Sequence, residues 1–209
     1  MDFLLANLSI VIALVIYGCI HFYNRWIHKH NAWFFIIALA LSVLVIFIEI
    51  SILDLLIDKG HLSLGIFLLV MFAGAFRKKS VIYKKLLLVR GDLAILGFIF
   101  LIPHGLHRLS LALNGYQSTG FIAAIIMIPL TISSFMFIRK KIRPDRWKKL
   151  HKLAYIAYFM IYIHLGFIMS INPSNFYINF SIDRILYHVL FLAYILLKIY
   201  RYKGVNQTG

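Results

Sequence analysis

Nine histidines stand in a chain of 209 residues that is 62% hydrophobic. His104, His107, His164 and His188 fall inside long apolar stretches, and His151 opens another. An ionisable group in such a setting is costly and by default marks function. A neutral imidazole is cheaper than an ion but still needs a partner. Iron is the strongest partner on offer, since haem is held by axial histidine nitrogens. His104 lies 14 residues beyond Arg90, and His164 lies 13 residues beyond His151. Those steps rise about 21 and 20 Å along a helix. His104 and His164 are therefore expected at one depth, and Arg90 and His151 together at another. Fourteen steps nearly return to the starting face, but 13 leave about 140° of mismatch, so His151 is expected at a frayed or bent helix start.

The residues around the pair extend the expectation. Gly97, seven before His104, shares its face and would leave room for a flat macrocycle. Pro103 removes one ladder hydrogen bond and can kink the helix beside the ligand. Gly105 and Gly166 are either close-approach positions or ordinary small packing residues. His188 and His107 compete as ligands, or hydrogen-bond a propionate or a group touching the iron. Arg108 and Arg90 pair with propionates or snorkel to an interface. His28, His30 and His61 read as solvated boundary residues, and His21 as structural. Glu49 and Asp54 fall within an apolar stretch with no assigned role.

Positioning such a pair requires helices, and the chain supplies them. Seven apolar stretches run approximately over 3–22, 33–57, 62–76, 91–111, 120–138, 153–171 and 182–200. A helix needs about 20 apolar residues to cross hydrocarbon, and most of these qualify; the third is short. Lipid offers no hydrogen bonds to exposed backbone, so the fold class is all-α: a polytopic membrane bundle of about seven spans. The net charge of +15 sits mostly in four segments. Residues 24–32, 77–90, 139–152 and the tail from 198 hold 19 of the 22 Lys and Arg. With seven spans all four lie on one side, which the positive-inside rule makes cytoplasmic. The amino terminus is then outside and the carboxyl terminus inside. Trp26, Trp33 and Trp147 border that basic side, as interfacial indoles do. Anionic inner-leaflet lipid explains the charge, so no nucleic-acid partner is expected.

Other chemistries lack their residues. Cys19 is the single cysteine, which excludes an intrachain disulfide and covalent haem attachment. No Gly-rich phosphate loop follows a strand, so no nucleotide domain is expected. The first span begins with Asp2 and lacks a basic start, so it does not read as a cleavable signal.

Two runs resemble a known family. Arg90-Gly-Asp-Leu-Ala-Ile-Leu-Gly, followed by Pro103-His104, resembles a span of the haem-binding membrane subunits of periplasmic methionine sulfoxide reductase systems (MsrQ-like). Asp145-Arg-Trp-Lys-Lys-Leu-His151, followed by His164, resembles their R-W-x-x-L-H segment. The likeness covers approximately residues 58–200 and extends to the ferric-reductase-like transmembrane superfamily. It implies His104 and His164 as axial ligands of an outer b haem. It implies His151 for an inner haem whose ligand set is incomplete, because Arg90 stands where larger relatives have histidine. An additional amino-terminal span and inner loop over 1–32 depart from the family pattern, and the resemblance implies a haem-binding domain over 33–209. Asp92-Leu-Ala departs from the family pattern.

The expected function is a bacterial cell-membrane electron conduit. A quinol or a cytoplasmic flavin reductase would reduce one b haem, or two, with FMN or quinone at the inner side. The electron would leave to an extracytoplasmic reductase or small acceptor. The alternatives are direct reduction of ferric iron, oxygen or a flavin, or a non-redox transporter or scaffold using its buried histidines and acids for proton coupling.

Overall fold

The computed structural model describes residues 5, 7–172, 174–180 and 182–206. The described chain is predominantly helical. In order come α1 (Leu8–Lys29), α2 (Asn31–Phe47), α3 (Ser51–Ala73), α4 (Val81–His107), α5 (Leu109–Leu113), α6 (Ser118–Ile132), α7 (Met136–Arg139), α8 (Pro144–Leu150) and α9 (Leu153–Gly166). A hairpin of β1 (Phe167–Asn172) and β2 (Asn175–Phe180) follows, then α10 (Ile185–Asn206). Among the described residues α1, α3 and α4 are long and apolar enough to cross a membrane, while α2 and α6 are shorter apolar helices. The outside of the bundle is apolar too: Leu14, Phe22, Phe47 and Leu192 are exposed. A soluble surface rarely carries apolar area on that scale, whereas lipid-facing helices do.

The central element is α4, which packs against α1, α2, α3 and α6. Val89 and Leu86 on it are fully buried. Ser80 starts it, its Oγ accepting from the Tyr83 N–H at 3.2 Å. Pro103 lies four residues after Ile99, so the Ile99 carbonyl loses its usual helical donor. Ser42 of α2 supplies a replacement, its Oγ donating to Ile99 O at 3.1 Å. Two residues earlier, Ser63 of α3 donates to Gly97 O at 2.9 Å. The proline that could kink α4 is thereby tied to its neighbours.

Three expected spans are redrawn. The stretch 33–57 is not one helix: α2 stops at Phe47, and Ile48 and Ile50 are extended. Glu49 lies exposed in that break, so no charge is forced into the middle of a helix. Helix α3 then starts at Ser51, which makes good the length that the stretch 62–76 lacked. It carries a π-helical turn over Asp54–Asp58 and a left-handed Gly60 (φ 79°). The stretch 153–171 is helical only to Gly166, and its last residues form β1, so the fold is not purely α. A Cβ on Gly166 would lie 2.7 Å from the His188 ring, marking a close crossing where the helix ends. Beyond it the β-rich run Phe-Ile-Met-Ser-Ile meets turn chemistry, with Asn172 Oδ1 accepting from the Ser174 N–H at 3.0 Å.

Contacts at the helix ends sort them into two groups. Ser9, His61, His104, Gln117, His164 and Arg184 gather at one end, called here the Asp58 end. His28, Arg90, Arg139 and His151 gather at the other, the Arg90 end. The hairpin closes the Asp58 end, where Gln117 N donates to Met169 O at 2.8 Å and Ile171 N to Gly115 O at 3.0 Å. The amino-terminal helices are integral to this bundle. Asp92, buried on α4, receives His28 of α1 at 2.6 Å and Asn31 of α2 at 2.8 Å. Asp92 is thus the residue that the first two helices grip.

Removing Ser42 strands a buried carbonyl. Ser42→Ala is expected to cost about 1–3 kcal/mol, read as a lower thermal midpoint in detergent. Adding Pro103→Ala restores an N–H to Ile99 O and should recover part of that loss. Strictly additive effects would overturn this account of the kink.

Candidate functional site

Two turns with unusual backbone aim the key histidines. Before α3 resumes, Gly60 adopts φ 79°; before α6 begins, Gln117 adopts φ 52°. His104 of α4 rests its ring on Gly60, where a Cβ would lie 3.2 Å from Nδ1. His164 of α9 rests its ring on Gly120, where a Cβ would lie 2.7 Å from Nδ1. His104 Nδ1 donates to the Asp58 carbonyl at 2.8 Å. That bond leaves Nε2 as the lone-pair nitrogen, the tautomer a metal requires. His164 Nδ1 is buried without a partner in hydrogen-bonding geometry, although the Gln117 carbonyl lies beside it.

The two rings face each other. Their centroids are 6.3 Å apart and their planes are crossed at 78°. Imidazole nitrogens on opposite sides of one metal, at about 2 Å each, are separated by about 4 Å. Adding the reach from nitrogen to ring centre at both ends gives roughly 6 Å. The pair opens on a cavity of about 360 Å³, within the range of about 300–1,000 Å³ for small-molecule sites. Its deep wall is apolar, with Phe67, Leu101, Met127 and Ile161. Gly105 also lines it, and a Cβ there would meet nothing within 4 Å. Among the described residues no group of three or more His, Cys, Asp or Glu converges on one point. Two imidazoles alone under-coordinate a bare ion.

The other expected residues divide. Arg108 lines the same cavity, bonded to Asp58 Oδ2 at 3.0 Å. Gly97 does not line it: its missing side chain makes room for the Phe67 ring, 3.1 Å from where a Cβ would stand. The glycine lets α3 and α4 pack closely at this point. Arg90 and His151 meet at a second, smaller cavity of about 130 Å³ at the opposite end. There Arg90 bonds the Tyr158 hydroxyl, and His151 Nε2 pairs with Ser133 Oγ at 3.0 Å. His151 stacks on Trp147 with centroids 4.0 Å apart. Burial, with Arg90 and Arg139 close by, holds its pKa down at about 4, so the ring is neutral. The chain breaks between α8 and α9 at His151 and Lys152, which removes the 13-residue phase mismatch.

Neither competing histidine joins the pair. His107 Nδ1 bonds Asp58 Oδ1 and stands outside the cavity. His188 bonds the Tyr162 hydroxyl at 2.9 Å and stacks on Phe180. Several residues escaped the sequence reading. Asp58 anchors His104 through its carbonyl and His107 and Arg108 through its carboxylate. His61 lines the cavity rather than facing solvent, and Arg184 donates to the His164 carbonyl at 3.3 Å. One signal was legible: Asp58 is among only seven acids and stands beside Gly60-His61. Phe67, shared by both cavities with Met127, is one of 18 phenylalanines and carried no signal.

Comparison with known proteins adds little chemistry. No protein-family model matches the chain, and no solved structure matches it. An uncharacterized protein of Treponema pallidum (strain Nichols) is 29% identical over 166 residues, covering 72% of this chain and 46% of that protein. The chain therefore spans less than half the length of this relative.

Gly120→Ala places a methyl group against the His164 ring. The expected outcome is a displaced imidazole and a loss of about 1–3 kcal/mol, measured as a lower thermal midpoint. Gly105→Ala meets open space and should leave that midpoint unchanged.

Proposed function

We propose that the chain is a b-type haem protein of the bacterial cell membrane that carries electrons across it. The single observation behind this reading is the crossed His104–His164 pair, spaced for one metal over an apolar cavity. In this reading His104 and His164 are the axial ligands. Bound haem supplies a one-electron carrier in its iron. The protein's residues do the rest. Asp58 O orients His104, Gly60 and Gly120 seat the two rings, and the apolar wall excludes water. Arg108 lies where it can meet an anionic edge of the macrocycle.

The arrangement of seven helical spans, with the basic Arg90 end in the cytoplasm and the amino terminus outside, belongs to the same proposal. The positive-inside rule supports it, because Arg77, Lys85, Arg139, Lys198 and Arg201 lie near the Arg90 end. The smaller cavity is then the entry side. With one imidazole already bonded to Ser133 and no second one facing it, it suits a donor ring better than a second haem. A quinol or a flavin delivered by a cytoplasmic reductase is the proposed donor. Phe67 and Met127 form the wall between the two cavities, so transfer crosses a single side-chain layer. The acceptor is an extracytoplasmic reductase, such as a methionine sulfoxide reductase, or a small oxidant; the sequence resemblance favours the former.

The test is the visible spectrum of the purified full chain. A reducible b-type spectrum of low-spin, two-imidazole character is expected. His104→Ala and His164→Ala should each reduce haem content at least tenfold, while His107→Ala and His188→Ala should retain it. A colourless protein from haem-replete cells, or a spectrum untouched by either ligand replacement, would overturn the proposal. Arg90→Ala is expected to slow reduction by a quinol while leaving the haem spectrum unaltered, measured by stopped-flow absorbance.

A further inference from the structure

The larger cavity is chemically lopsided. Its deep wall is apolar, but its rim at the Asp58 end brings together Lys59, His61, Arg108 and Arg184. Three are permanent cations and the fourth is an imidazole. Among the described residues the acid bonded to this rim is Asp58, and its carboxylate is shared by Arg108 and His107. Arg184 spends one donor nitrogen on the backbone carbonyls of His164 and Leu165. Among the described residues the Lys59 Nζ has no hydrogen-bond or ion-pair partner. Such a rim suits a ligand with an apolar body and negative charge along one edge.

His61 is tied to α1 through a hydrogen bond. Its Nδ1 lies 3.1 Å from the Oγ of Ser9, a fully buried residue of α1. Ser9 is also hydrogen-bonded by Tyr187, which lines the same cavity. When Tyr187 donates to Ser9 and Ser9 donates to His61 Nδ1, the neutral imidazole carries its proton on Nε2. Among the described residues nothing accepts from that nitrogen. Helix α1 is seated closely enough to fix the arrangement: a Cβ on Gly65 of α3 would lie 2.9 Å from Ser9 O. The first helix therefore reaches the ligand cavity through one serine.

We infer that Lys59, His61, Arg108 and Arg184 form a carboxylate-recognition rim, that bound haem lies with its propionates toward the Asp58 end, and that His61 Nε2–H is a specificity-determining donor to one of them. This rests on haem being the ligand of the His104–His164 pair. The position of α1 then affects haem selectivity, because Ser9 sets the tautomer of His61.

The full chain, purified haem-free in detergent, tests this by titration with protohaem and with its dimethyl ester, which keeps the macrocycle but masks both carboxylates. Binding is read from the Soret band, independent of any activity. Wild type should prefer protohaem at least tenfold. His61→Ala should reduce that preference about tenfold by weakening protohaem alone, His61→Gln should retain most of it, and Ser9→Ala should lie between. Equal affinity of wild type for both porphyrins overturns the rim. Preference undiminished in His61→Ala, or lost equally for both porphyrins, overturns the role of His61. In these cases the haem reading stands. Failure of wild type to bind either porphyrin overturns both.

Discussion

An imidazole inside an apolar bundle must find a place for each of its two nitrogens within the chain, because the surroundings offer none. That constraint organises the Asp58 end. His104 satisfies one nitrogen on the Asp58 carbonyl and turns the other toward the cavity. His164 does the same less completely, with Nδ1 beside the Gln117 carbonyl and its ring against Gly120. At both histidines the turn before the neighbouring helix is left-handed. Gly60 at φ 79° and Gln117 at φ 52° provide those turns. The two unusual backbone positions and the two ring-seating glycines are therefore one device used twice.

The same economy explains the remaining polar groups. Pro103 frees a carbonyl that Ser42 answers, Asp92 is answered by His28 and Asn31, and His61 by Ser9. In each case a residue of α1 or α2 completes a group on α3 or α4. The amino-terminal helices are thus joined to the core by polar contacts at both ends rather than by apolar packing alone. In lipid such contacts matter because association has little hydrophobic drive. His188 shows the alternative fate of a buried histidine. It is satisfied by Tyr162 and the Gly166 carbonyl and flanked by Phe167 and Phe180.

Much of this was legible in residue types, and the failures have physical causes. Matching rises from Arg90 and His151 placed His104 and His164 at one level, because helical rise is fixed by geometry. The same arithmetic could not show what stands beside Gly97. Sharing a face with His104 says nothing about which neighbour occupies the space, and Phe67 does. The stretches 33–57 and 62–76 were divided at the wrong place. Apolar composition continues through Ile48 and Ile50, and only backbone angles mark the break. Asp58 and Arg184 act partly through backbone carbonyls, and a carbonyl's partner has no signature in the one-dimensional chain.

By itself the sequence determined that the chain is helical and apolar, that its cations concentrate in a few loops, and that two histidines share a level. These follow from composition, charge and helical rise, all properties of neighbours along the chain. Only the tertiary structure decided that those two rings confront each other at 6.3 Å, that His107 and His188 turn elsewhere, and that the end of the stretch 153–171 leaves the helix for a hairpin. Rotation about a helix axis and the partner across an interface depend on every packed neighbour at once, and no local spacing encodes them.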